Sequence, residues 1–233
     1  MTELAGRVAL IVGAGAGVSA AFARLLAAQG MHVALAARDT SKLAALCVQT
    51  GARAYACDST RAAEVDALFT AVDDELGAPT VVLYNASRRV RGSIADLDPA
   101  AVAEAISVSA FGGFLVAQQA ARRMLARGSG TLLFTGASAS VKGYPLSASF
   151  AMGKFALRGL AQSVARELQP HGIHVAHVVI DGGIRSTARP VPADAPDSLL
   201  DPEAIALTYL QLVLQPRSAW STEVEVRPWS EKF

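Results

Sequence analysis

Seven short runs of Val, Ile, Leu and Ala, parted by stretches of helical length, leave this chain few folds to choose from. The runs fall at 7–12, 32–37, 52–56, 80–84, 131–135, 174–180 and 223–227. Most are continuously apolar rather than alternating, the pattern of parallel strands covered on both faces. The stretches between them, 18–29, 41–49, 62–76, 100–127, 146–168 and 202–214, predict helices. Gly30, Gly51, Gly77 and Gly128 sit just past four of the helix ends, as helix-terminating glycines do. This alternation predicts a doubly wound parallel α/β sheet with helices on both faces, and the 233 residues predict one domain, 1–233. Residues 186–201, rich in Pro, Ala and Asp, are too short for a domain linker and too polar for core. They predict a mobile lid or excursion.

Composition removes other classes. The net charge of +1 gives no electrostatic reason to expect nucleic acid or an anionic membrane surface. No apolar run is read as reaching the roughly 18 residues of a membrane span, and no leader is apparent, so the expectation is a soluble cytoplasmic protein. Cys47 and Cys57 are too few for a disulfide framework and read as thiols in a reducing compartment. No metal-ligand spacing is present.

The first run leads into Gly13-Ala14-Gly15-Ala16-Gly17-Val18-Ser19 and then a helix. Glycines there let the backbone approach a pyrophosphate, and the helix start offers free N–H groups to it. Gly15, Gly17 and Ala20 satisfy G-x-G-x-x-A. The second run ends Ala36-Ala37-Arg38-Asp39. Ala37 fills the place of the acid that would bind an adenosine 2′-hydroxyl, while the Arg38 guanidinium suits a 2′-phosphate. NADP(H) is therefore favoured over NAD(H). Asp39 reads as the cap of the next helix, with Thr40 and Ser41 as rivals; turned inward, it would restore NAD.

Residues 131–160 are the richest stretch: an apolar run, a Gly/Ala/Ser loop at 136–140, then a helix on which Phe150 and Lys154 share one face. With the glycine loop, this layout resembles the short-chain dehydrogenase/reductase family from Gly6 to about Arg227. The resemblance implies a Rossmann-type fold and hydride transfer between a nicotinamide nucleotide and a small carbonyl or alcohol. It implies that Ser138 holds the substrate oxygen and that Lys154 binds the nicotinamide ribose. Ser138 stands one residue closer to position 150 than the family serine does to its tyrosine. Phe150 occupies the position of that proton-donating tyrosine, and Ser109 the position of an asparagine supporting a proton-carrying water chain. Both changes remove one proton route, because a phenyl ring has no proton to exchange. Tyr144 is a candidate replacement acid, weighed against a packing role beside Pro145.

The resemblance also implies a cofactor site. Gly13 and Gly17 match the first two glycines of the family loop, with Ser19 in the third place and Gly15 and Val18 between them. Asp58 matches an aspartate near the adenine, or else caps the helix starting near Ala62. Asn85 would steady the sheet and Ala86 would lie against the adenosine. Gly182 and Ile184, with Ser186 or Thr187, would contact the nicotinamide end, while Asp181 replaces a proline. Arg88, Arg89 and Arg91 read as solvent-facing, with the capacity to attract an anionic substrate or phosphate. His171, His174 and His177 read as core or surface residues. Trp229 and Phe233 read as anchors for the C-terminal tail. Homodimers or homotetramers through helices 100–127 and 146–168 are implied. The expected function is an NADP-favouring oxidoreductase with an altered proton donor. The alternative is a nucleotide-binding protein without turnover, acting as sensor, scaffold or partner subunit.

Overall fold

Because the residues of the five central strands are apolar on both sides, those strands feed two cores. The computed structural model describes residues 3–230. Its strands are β1 (Val8–Val12), β2 (His32–Ala37), β3 (Arg53–Ala56), β4 (Val81–Tyr84), β5 (Gly130–Thr135), β6 (Ile173–Ile180) and β7 (Glu223–Val226), each within one residue of its predicted ends. All pair in parallel, in the order β3-β2-β1-β4-β5-β6-β7. The pleat sends Ala9 and Ile11 to one face and Val8, Leu10 and Val12 to the other.

The first face packs against α1 (Val18–Ala28), α2 (Ala44–Thr50) and α7 (Pro202–Leu214), where Phe22 meets Tyr209 edge to face at 5.4 Å. The second packs against α3 (Ala62–Leu76), α5 (Gly112–Arg127) and α6 (Ala148–Leu168). The chain leaves β1 for the β2 side and returns for β4 on the other side. The sheet therefore reverses its order between β1 and β4, and a crevice opens at their carboxyl ends.

Several helices differ from expectation. The 100–127 stretch is not one regular helix: α4 (Pro99–Ile106) passes through a π-type turn at Ser107–Phe111 into α5. The Tyr84 hydroxyl donates to the Val108 carbonyl in that turn, and a Cβ on Gly112 would lie 2.4 Å from the same hydroxyl. The turn thus bends around a buried tyrosine. The segment 99–127 is also long and apolar enough to cross a membrane, with mean hydropathy 1.7, contrary to the sequence reading. In the fold its Leu115, Val116, Ala120 and Met124 pack into the sheet. Helix α6 begins at Ala148 rather than 146, because Leu146 has φ +60, outside helical space. The 41–49 stretch opens as a 3₁₀ turn, Ser41–Leu43, before α2.

Candidate active site

Two adjoining hollows of about 520 and 570 Å³ share Gly15, Asn85 and Ser87, and together they run along the crevice. The glycine loop forms their common wall. Gly13 has φ +84, and a Cβ there would sit 2.3 Å from the Ala86 backbone nitrogen, so only glycine lets these strand ends approach. Asn85 fastens the loop, donating to the Gly13 carbonyl at 3.1 Å and to the Ser19 hydroxyl at 2.7 Å. Ser19 is buried and itself donates to the Gly13 carbonyl, so it staples the loop. Gly15 and Gly17 differ from Gly13: a Cβ at either would meet nothing within 4 Å. No side chain caps α1. Open space in front of uncapped helix N–H groups is the arrangement a phosphate requires, so these residues fit a dinucleotide. Val18 lines the same hollow.

The second hollow carries Arg38, Asp58 and Ala86, together with Lys42, which sequence reasoning passed over. Lys42 lies in the 3₁₀ turn that the helix prediction absorbed. Asp39 does act at the start of that turn, accepting from the Ser41 N–H and hydroxyl and pairing with Lys42 at 3.3 Å. Asp58 does not cap α3. It closes a turn by accepting from the Thr60 N–H and hydroxyl, and those bonds, with Arg38 and Arg61 nearby, hold its carboxyl below the usual range.

The first hollow contains Ser138, Phe150, Lys154, Gly182 and Ile184 together. Lys154 is 2 % exposed and donates to the Thr135 carbonyl at 2.6 Å. Burial pushes its pKa down to about 8. Its ammonium lies 5.8 Å from the Phe150 ring centre, and the Arg89 guanidinium lies 5.3 Å from the same centre. Arg89 is not merely solvent-facing: it donates to the Ser147 hydroxyl at 2.7 Å and lines the hollow.

Ser138 lies near Asp181, the residue in the proline position, and its hydroxyl helps to hold that carboxyl low. Asp181 is 3 % exposed. Burial works to raise its pKa, but Ser138, Lys142 and the charge of Arg227 hold it low. The Lys142 ammonium also lies 5.9 Å from the Tyr144 ring centre. Tyr144 is 44 % exposed and lines the hollow, so packing beside Pro145 does not describe it. Gly182 is required because a Cβ would strike Pro228 at 2.8 Å.

Ser109 does not line this hollow. It is fully buried in the π-type turn, where it accepts from the Arg88 N–H at 3.4 Å, and a Cβ on Gly153 would lie 2.7 Å from its own. Helix α6 comes close to Ser109 at Gly153, where only glycine fits. His174 and His177 are core residues. The 186–201 excursion brings Ser186 and Arg189 to the hollow, beside Arg185. It is tied down by Arg185 to Asp201 at 2.7 Å and by the Trp229 indole to Asp197 at 3.0 Å. Trp229 thus holds the tail to this chain; Phe233 lies outside the described residues.

Known proteins resemble this chain in sequence and fold. The family model described as short chain dehydrogenase matches residues 7–191. A short-chain dehydrogenase/reductase of Armillaria gallica is 34% identical over 73% of this chain and 68% of its own length. An uncharacterized oxidoreductase of Staphylococcus aureus (strain N315) is 30% identical over 98% of this chain and 100% of its own. The crystal structure of a short-chain dehydrogenase from Rhodopseudomonas palustris superposes with TM-score 0.84 at 34% identity, covering 96% of this chain and 99% of that one. A metagenomic short-chain oxidoreductase in complex with NADP superposes with TM-score 0.84 at 30% identity, over 97% and 99%.

Proposed function

This chain belongs to the short-chain dehydrogenase/reductase family of oxidoreductases, and from that premise we propose that it is NADP(H)-dependent and acts on a small carbonyl or alcohol with an altered proton donor. The carrying observation is that an uncapped, glycine-opened helix start and a buried ammonium face one crevice. Gly13, Gly15, Gly17 and Val18 would hold the diphosphate, Asn85 and Ala86 would frame the adenosine, and Gly182 and Ile184 would flank the nicotinamide. Arg38, with Lys42 beside it and the Asp39 carboxylate taken up by Ser41 and Lys42, supports a 2′-phosphate. The NADP complex of the metagenomic relative agrees with that preference. When bound, a reduced nicotinamide supplies hydride. This chain's residues then have to orient the substrate and move the proton.

Lys154 would donate to the ribose, and Ser138 would offer its hydroxyl to the substrate oxygen. Phe150 supplies a wall and no proton. Tyr144, beside Lys142, is the tyrosine whose hydroxyl is available to the hollow. The free thiols and the 99–127 helix packed into the sheet support a cytoplasmic protein. Phe111, Phe114, Met152 and Phe155, exposed along α4–α6, support a homodimer or homotetramer.

A second reading, nucleotide binding without turnover, is favoured by the missing phenol at 150. The experiment is a thermal shift with NADPH, NADH and neither, followed by NADPH oxidation against a panel of ketones for wild type, Phe150→Tyr and Tyr144→Phe. The oxidoreductase reading expects a larger shift with NADPH, measurable wild-type turnover that Tyr144→Phe lowers, and a rise in Phe150→Tyr. NADPH binding with all three proteins inert would leave the second reading standing.

A further inference from the structure

We propose that the reacting hollow is built for an anionic substrate, a small carboxylate bearing the carbonyl or hydroxyl group, with Arg89 as the anchor for its carboxylate. This rests on the oxidoreductase reading and adds the substrate class. Among the described residues, the hollow is lined by Arg89, Lys154, Arg185 and Arg189 and by no Asp or Glu. With Arg185 neutralised by its own carboxylate partners, Arg89, Lys154 and Arg189 remain an excess of cations, and such an excess in a concave site draws in and holds anions.

The four cations are not equivalent. Lys154 spends one donor on the Thr135 carbonyl and is assigned above to the ribose. Arg185 also borders a smaller hollow beside Ala16 and Gly17, at the phosphate end, and its charge is balanced by Asp201 at 2.7 Å and Glu203 at 3.1 Å. Arg189 belongs to the 186–201 excursion. Arg89 stands on the opposite side, in the connection after β4. It is held against the loop before α6 by the Ser147 hydroxyl and over the Phe150 ring at 5.3 Å. Its neighbour Arg88 pairs with Glu104 at 2.8 Å, whereas Arg89 has no ion pair among the described residues.

Arg89 is an exposed residue, and what suits it to act as a receptor is that its guanidinium is held in one orientation. Ser147 is 1 % exposed and Phe150 is half-buried, so the guanidinium is braced by fixed groups. Its bond to Ser147 uses one of five N–H donors, and a carboxylate can take two of the others side by side. Phe150 separates two cations, Arg89 and Lys154, on one ring. An anion beside Arg89 relieves their mutual repulsion. The phenyl ring at 150 thereby acquires a role: it seats the guanidinium at the wall where the family places its tyrosine.

The test uses benzoylformate and its neutral methyl ester, titrated calorimetrically into the NADP-loaded protein and into the free protein. Wild type is expected to bind benzoylformate at least about tenfold tighter than the ester. Arg89→Gln is expected to weaken benzoylformate by at least about tenfold while leaving the ester and NADP unchanged, and Arg89→Lys to fall between, since a point charge lacks the fork. Circular dichroism and melting of each variant establish that it is folded. Equal binding of acid and ester, no binding of either, or an Arg89→Gln protein that keeps the preference would each overturn the proposal. Loss of NADP binding in wild type would instead sink the oxidoreductase reading, and the titration without nucleotide still decides the role of Arg89.

Discussion

At residue 154 the decisive property is burial. The Lys154 pKa falls to about 8 from the usual 10.5 because the ammonium has left water. A ribose accepting from this ammonium selects the protonated form, so above about pH 8 binding must first recover a proton. The NADPH dissociation constant is expected to rise toward tenfold per pH unit above that point in wild type and to stay flat in Lys154→Met, by calorimetry. His177 is also depressed, to about 4 from 6.5, chiefly by burial, although Glu223 pulls the other way at 3.2 Å. A lowered folded pKa means that the unfolded chain takes up the proton first. The contribution to stability is therefore whole above about pH 6.5 and is lost as pH falls toward 4. Thermal melts are expected to drop across that window, and His177→Leu to drop less.

The glycine loop shows how one element can carry two kinds of glycine. A Cβ at Gly13 would meet the Ala86 backbone, whereas one at Gly15 would meet only space. Gly13→Ala is expected to lose at least about 2 kcal/mol of unfolding free energy in urea, from the left-handed φ and the clash. Gly15→Val should melt near wild type and lose the NADPH thermal shift. The sequence made the loop and its place legible but not this division of labour, because a glycine motif reads alike whether it serves the chain or a ligand. The same limit applied to helices. Their apolar periods placed them within three residues, but the π-type turn at Ser107–Phe111 packs on the Tyr84 hydroxyl, far away in the chain.

For the whole molecule, the exposed aromatic stripe decides the expected assembly. Phe111 and Phe114 stack at 6.1 Å, and Met152 and Phe155 on α6 are exposed as well. Large apolar side chains of this density on packed helices support the proposal that another copy covers this surface. Wild type is expected to elute as a dimer or tetramer with light scattering, and Phe114→Glu with Phe155→Glu as a smaller species. A monomeric wild type would refute the proposed assembly.

The order of strands and helices, the single parallel sheet and the position of the glycine loop came from sequence alone, since hydrophobic period and chain handedness are local properties repeated along the chain. Tertiary structure decided what no spacing carries. It took Ser109 out of the hollow, set Ser138 near Asp181 and Tyr144 beside Lys142, and laid Arg89 across Phe150. Those partners lie on different elements, and their distances are fixed only when the two cores close on the sheet.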